Sequence, residues 1–203
     1  DISSAIYFIV AALLIPGSQL RIKNLGVNPT RSGLLTLLRN SGARITLENE
    51  RDVTAEPWAD VLVRYEAGFL ENFPAMIDSH WIPNLIDEIP ILAVLGTRLK
   101  NGLQIRNAAE LRHKESDRIR SIVQNLGALG IETEEYPDGF NIPPGQALRG
   151  GKIRTFGDHR IAMSFAVAGL LSKGGVQIDE PQCADISFPG FFDLLDLVSG
   201  SIA

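Results

Sequence analysis

The 203-residue chain has a single cysteine, Cys183. One thiol closes no internal disulfide, so a disulfide-stapled fold is excluded, and a reducing, cytoplasmic location is expected. Histidine is nearly as scarce. His80, His113 and His159 lack metal-ligand spacing, and no carboxylate pattern completes a site, so no metal is expected. A glycine-rich nucleotide loop is missing as well. Long apolar runs are absent too: the longest, Ala5 to Ile15, falls short of the roughly 20 residues that a bilayer crossing needs. It also lacks the basic leader and cleavage site of a signal peptide. Basic residues are in deficit, with 19 Lys and Arg against 24 Asp and Glu for a net charge of -5, so a nucleic-acid partner is not expected.

What is present is a core-forming composition, 45% hydrophobic, at a length that suits one generous domain or two small ones. Its order repeats. Ser3 to Leu14 reads as an apolar helix, followed by a Pro-Gly break and a strand over Leu20 to Lys23. A second helix spans Thr30 to Asn40, with strands at Arg44 to Leu47 and Asp60 to Tyr65. The order then recurs. Ile89 to Leu99 is an apolar helix, Leu103 to Arg106 a strand and Glu115 to Leu126 a helix ending at Gly127. Strands at Ile131 to Glu135 and Phe140 to Ile142 flank a Pro137-Asp138-Gly139 turn. A third copy places a helix at Ile161 to Leu171, a strand at Val176 to Asp179 and a helix at Phe188 to Val198. The spacing between copies is roughly 70 to 85 residues. Three such units imply an α/β domain with its helices packed together and sheets around them. Asp1 opens directly into a helical pattern, as in a chain numbered from inside a larger protein.

Charged clusters stand where helices begin. The densest is Leu111 to Arg118, containing Arg112, His113, Lys114, Glu115 and Asp117. A helix starting near Lys114 puts Lys114 and Arg118 on one face, suited to an anion beside a proton-moving Glu115. The same spacing also describes a solvated face with local ion pairs. Gly157-Asp158-His159-Arg160 precedes the helix at Ile161. Asp158 fits an ordinary cap, whereas Arg160 against so apolar a helix needs a partner or a bound anion. His159 fits a titrating group or a structural hydrogen bond. Asp87-Glu88 ahead of Pro90 fits helix-dipole complementarity, or a general base facing a cleft.

Taken in order, Asp1 to Ala5, Asn28 to Arg31, Ile86 to Pro90, Leu111 to Arg118 and Thr155 to Met163 resemble the 5-enolpyruvylshikimate-3-phosphate synthase family across almost the whole chain. The resemblance implies an enolpyruvyl transferase domain of three βαβαββ units, an inside-out α/β barrel with helices inside and sheets outside. Residues 1–203 would be the carboxyl-terminal domain, with an amino-terminal domain as its partner and the active site between them. The implied reaction moves the enolpyruvyl group of phosphoenolpyruvate to the 5-hydroxyl of shikimate 3-phosphate and releases phosphate, with no metal or organic cofactor. Such a half is expected to be inactive alone. By resemblance, Asp87 is the catalytic aspartate at the reacting hydroxyl, Glu115 moves a proton at the methylene, and Lys114, near shikimate 3-phosphate, belongs to both the catalytic and the substrate-binding set. Arg118 and Arg160 hold phosphoenolpyruvate, and Asp158 and His159 join the substrate-binding set. The two anionic substrates imply a basic cleft on an acidic protein. Ile186 stands where some members carry a lysine that contacts phosphoenolpyruvate.

Two alternatives remain at this level. One is half of the sibling transferase acting on UDP-N-acetylglucosamine. The other is a non-catalytic phosphate-binding domain of the same fold.

Overall fold

The computed structural model describes residues 1–53 and 56–200, and three helices with no polar face along their middles lie at its centre. In chain order the elements are α1 (Ile2–Leu14), β1 (Gln19–Gly26), α2 (Gly33–Asn40), β2 (Ile45–Val53), β3 (Glu56–Arg64) and the short helices α3 (Phe69–Asn72) and α4 (Ile82–Leu85). There follow α5 (Ile89–Gly96), β4 (Leu103–Ile105), α6 (Arg118–Ala128), β5 (Glu134–Tyr136), β6 (Gly139–Ile142), β7 (Arg149–Ile153), α7 (His159–Leu171), β8 (Lys173–Ile178) and α8 (Phe191–Gly200).

A helix that is apolar all round must be buried on every side. In α1 every residue from Ala5 to Leu14 is buried, in α5 every residue from Ile89 to Gly96, and in α7 every residue from Ile161 to Ala168. α6 is two-faced. It buries Ile119, Ile122 and Leu126, while Arg120 and Gln124 face water.

The sheets surround these helices, and two of them repeat one topology. The first has the order β1-β3-β2 and the second β4-β6-β5, antiparallel throughout. In each, a buried helix precedes the first strand and a two-faced helix precedes a hairpin. Met76 adds a parallel bridge to Gln104 at the edge of the second sheet. The third sheet pairs β7 with β8 in parallel across α7, as a βαβ connection requires. Alternation sets the register. Val61 and Val63 of β3 are wholly buried opposite Ile22, Leu20, Leu47 and Ile45, whereas Arg21 and Glu48 pair at 2.7 Å on the outside.

Helix starts differ from expectation where a side chain takes a backbone donor. α2 begins at Gly33 instead of Thr30, because the Asn28 side-chain oxygen accepts from the Thr30 N–H (3.0 Å) and hydroxyl (2.8 Å) and folds that stretch into a turn. α6 begins at Arg118 instead of Glu115. Asp117 caps it by accepting from the Arg120 N–H at 3.0 Å, Lys114 is extended, and Ala109–His113 wind into a 3-10 turn. The shared helical face expected for Lys114 and Arg118 therefore does not form. α5 ends at Gly96, short of Leu99, and α8 starts at Phe191 instead of Phe188. No helix among the described residues is long and apolar enough to cross a membrane.

Gly139 follows the two-residue turn between β5 and β6, and a Cβ there would lie 1.9 Å from the Ile105 carbonyl oxygen of the neighbouring strand. Gly139→Ala is expected to destabilise the protein by about 1–3 kcal/mol or more, through forced backbone displacement. Gly127, on the open face of α6 with nothing near its would-be Cβ, is the contrast. Gly127→Ala is expected to leave stability unchanged or raise it by up to about 1 kcal/mol. Urea unfolding midpoints of the two variants check the pair.

Candidate active site

The first turns of α1, α5, α6 and α7 meet at one end of the helical core. Ser3 near the start of α1 donates its hydroxyl hydrogen bond to Glu88 Oε1 at 2.9 Å, and Arg160 Nη1 donates to the Asp87 carbonyl at 3.0 Å. Helix N-termini present unpaired N–H groups and the positive end of the dipole, so this end of the core favours negative charge. The sequence supplies it: Asp1 and Asp158 cap α1 and α7 by accepting from the Ser3 and Arg160 N–H groups.

At the centre stands Arg118, whose side chain is only 1% exposed. Its Nε donates to Asp158 Oδ2 at 2.8 Å and its Nη1 to Asp87 Oδ1 at 3.1 Å. Nη2 pairs with Glu115 Oε2 and reaches Asp158 Oδ1 at 3.4 Å. A guanidinium has five N–H donors in a planar fork, which is why one arginine can hold three carboxylates from three segments of chain. Asp158 has no exposed surface and also accepts from the Ser116 hydroxyl at 3.0 Å. Asp87 is shared: its second oxygen lies 3.4 Å from Arg160 Nη2.

Five of the residues singled out from sequence thus come together: Asp87, Glu115, Arg118, Asp158 and Arg160. Asp87 and Glu115 keep half-open side chains, 41% and 50% exposed, so these are the carboxylates that a ligand can reach. His159 is half-buried beside them. Lys114 stands apart from the Arg118 cluster and pairs with Glu110 at 2.5 Å. The adjacent Glu88, which the helix-dipole reading left equivalent to Asp87 and the resemblance set aside, is buried. Ile186, at the position where a lysine occurs elsewhere, is 76% exposed.

Two features depart from the sequence expectations. The cluster is not a basic cleft within this chain, because a buried guanidinium has to be matched and Arg118 is held by the acidic side chains of Asp87, Glu115 and Asp158. Arg112 works away from the cluster. Its side chain joins Asp117 (2.9 Å) and Glu135 (2.8 Å) and donates to the Pro137 and Tyr136 carbonyls, pinning the loop before α6 to the β5–β6 hairpin. Ser116 and Ser3 were missed, since short hydroxyl residues on or before helices carry no distinctive spacing.

Burial alone would raise the Asp158 carboxyl, but the hydrogen bonds and charge of Arg118, with the Arg160 N–H and Ser116, outweigh it and hold it below the usual range. Burial, reinforced by the Arg160 charge, lowers the His159 imidazole below its ordinary value, so the ring is neutral at neutral pH.

Arg118→Met leaves Asp158 buried without its cation, and a loss of about 3–5 kcal/mol is expected. The pH dependence also changes sign. In the unaltered protein the unfolded chain binds the Asp158 proton more readily. That contribution is present above the ordinary carboxylate pKa of about 4 and is lost as pH falls through the depressed folded value. Without Arg118 burial prevails and raises the folded value, so stability falls as pH rises through it. Denaturant midpoints followed across acid pH, with Asp158→Asn as reference, read both effects; an unchanged acid limb in Arg118→Met would refute the pairing.

With this geometry established, comparison with known proteins is specific. The family model for EPSP synthase (3-phosphoshikimate 1-carboxyvinyltransferase) matches residues 1–195. The chain is 48% identical over 200 residues to the 3-phosphoshikimate 1-carboxyvinyltransferase of Syntrophomonas wolfei, covering 98% of this chain and 46% of the relative. It is 46% identical over 195 residues to that of Synechococcus sp. RCC307, covering 96% and 44%. An EPSP synthase structure from Acinetobacter baumannii superposes with a TM-score of 0.88 at 34% identity, over 98% of this chain and 45% of that one. The enolpyruvyl transferase NikO from Streptomyces tendae shares the fold, with a TM-score of 0.71 at 20% identity over 98% and 42%. The chain spans less than half the length of the curated relatives it matches. It belongs to the EPSP synthase family, and its architecture is the α/β enolpyruvyl transferase fold.

Proposed function

We propose that this chain supplies one wall of the active site of a longer enzyme, which transfers the enolpyruvyl group of phosphoenolpyruvate to the 5-hydroxyl of shikimate 3-phosphate and releases phosphate. The observation that carries the proposal is the pairing of two accessible carboxylates, Asp87 and Glu115, on the buried guanidinium of Arg118, with Arg160 beside the first. The family membership and the names of the relatives support the same reaction.

The chemistry asks for two proton-handling groups. In the addition step the 5-oxygen bonds to C2 of phosphoenolpyruvate, the hydroxyl gives up its proton, and the C3 methylene takes one. In the elimination step the new methyl group loses a proton and the C2–O bond to phosphate breaks. Asp87 is assigned to the hydroxyl and Glu115 to the methylene, each a general acid or base as the step requires. Arg118 sets the spacing between them, and its burial means that it orients carboxylates in this conformation before it touches any ligand. Arg160, at 15% side-chain exposure, is the more open cation for the donor's carboxylate or phosphate. Helix N-termini add to that attraction. Lys114 and the neutral His159 are assigned to the rim, toward shikimate 3-phosphate, and Asp158 holds Arg118.

The cluster lies on an open face. The hollow beside it, about 480 Å³, touches only Ser116 of its members, and the 570 Å³ hollow between Ala11, Ile15, Leu20 and Leu195 lies at the opposite end of α1. A reaction through a cation-like carbon needs water excluded, so a second wall is required, and an amino-terminal domain in the remaining length of the protein is assigned that part.

Phosphate release from shikimate 3-phosphate and phosphoenolpyruvate tests the assignment. The full-length protein is expected to be active and this chain alone inactive. Asp87→Asn in the full-length protein is expected to lower kcat by about 10²–10⁴-fold, with shikimate 3-phosphate binding nearly intact. No release by the unaltered full-length protein would overturn the function. Full turnover in Asp87→Asn would overturn the role of the carboxylate.

A further inference from the structure

Glu115 stands on backbone that no regular element supports. Residues 114–116 lie in no helix or strand, and the Glu115 side chain is half exposed. Its contact with Arg118 holds the tip of the side chain. The main chain beneath that tip has to be held by something else, because an unsupported backbone and a long side chain both retain many conformations.

What holds it is Arg112, outside the cluster. Its Nη1 lies 2.9 Å from Asp117 Oδ2 and 2.8 Å from Glu135 Oε1. Its Nε donates to the Pro137 carbonyl at 2.9 Å and its Nη2 to the Tyr136 carbonyl at 2.6 Å. One guanidinium therefore ties the chain just before residues 114–116 to the chain just after them, and ties both to the β5–β6 hairpin. Asp117 also caps α6 through the Arg120 N–H at 3.0 Å, so the same clamp bears on the helix that Arg118 opens.

The base of the clamp is itself secured. At the hairpin turn the Asp138 carboxylate accepts from Arg106 Nε at 2.9 Å and from the Asn107 N–H at 2.8 Å. The Asp138 carbonyl accepts from the Ala108 N–H at 2.8 Å, and the Ala108 carbonyl from the N–H of the wholly buried Leu111 at 3.0 Å. Charge balance alone does not account for Arg112. Two of its bonds go to main-chain carbonyls, which carry no charge to neutralise, and they fix the plane of the fork in a way that a lysine cannot reproduce.

We propose that Arg112 is a positioning residue for the enolpyruvyl transfer. By clamping both ends of residues 114–116 to the β5–β6 hairpin, it holds Glu115 where the carboxylate can give a proton to the methylene carbon and take one back. This rests on the function proposed above for the reaction, whereas the clamp rests on the contacts of Arg112 alone.

The test uses full-length protein with Arg112→Lys, which keeps the charge but cannot span two carboxylates and two carbonyls. Glu135→Gln is the milder companion, removing one charged partner at the surface of the hairpin. Arg112→Lys is expected to lower kcat by about 10- to 100-fold, the scale on which a small misplacement of a reacting group acts, with both KM values near those of the parent. Glu135→Gln is expected to act in the same direction by a smaller factor. In a Glu115→Gln background Arg112→Lys is expected to add almost nothing, because residues that act through one group are non-additive. A purely structural clamp would lower the thermal midpoint and leave kcat of the folded protein unchanged, and that result overturns the proposal. Equal effects of Arg112→Lys with and without Glu115 overturn it as well. Backbone amide order parameters give a readout independent of turnover. At residues 114–116 they are expected to fall in Arg112→Lys from about 0.85 toward 0.6, and unchanged values overturn the clamp. Absence of turnover in the unaltered protein instead overturns the reaction, and with it the part played by Glu115.

Discussion

The ion pair between Arg118 and Asp158 is the interaction around which this molecule is assembled. Apolar helices pack well at many rotations and heights, because dispersion and area burial are not directional. A guanidinium buried to 1% exposure is directional, and it is costly unless its donors meet acceptors in the plane of the fork. Arg118 opens α6, Asp158 caps α7 and Asp87 precedes α5, so satisfying one side chain sets three helix starts relative to one another. The cluster is thus a structural keystone before it is a site.

The same arrangement leaves neighbouring carboxylates with different exposure. Of the carboxylates on Arg118, the wholly buried Asp158 is occupied by the guanidinium, Ser116 and the Arg160 N–H. Asp87 and Glu115 share the cation but keep open edges. One buried charge therefore holds two reachable acids at a set separation, without either having to be rigid by its own packing. The local balance of charge is close to neutral, so attraction for anionic ligands rests on Arg160, on the helix N-termini and on what the rest of the protein contributes.

Legibility followed the range of the interactions. The cores of α1, α5 and α7 could be read because an apolar helix declares itself over consecutive residues. The repeat could be read for the same reason, and the matching strand orders of the first two sheets are its structural form. The start of α6 was misplaced by three residues because Arg112 is secured by Asp117 and by a hairpin more than 20 residues on, and this draws Lys114 and Glu115 out of the helix. β7 was not recognised at all. Arg149-Gly150-Gly151-Lys152-Ile153 has no alternation, and its extended form comes from pairing with β8 and from Gly150 and Gly151 lying against neighbouring backbone.

By itself the sequence determined the fold class, the order of the units, the family and the short list of charged residues, because each is carried by local pattern or by motifs in series. Tertiary structure alone decided which of those residues meet. It left Asp87 open and shared between two arginines, and buried the adjacent Glu88 against Ser3. It also took Lys114 out of the cluster and left Asp158 with no surface at all. Burial and pairing are properties of several segments at once, and no stretch of chain read alone contains the groups that will surround it.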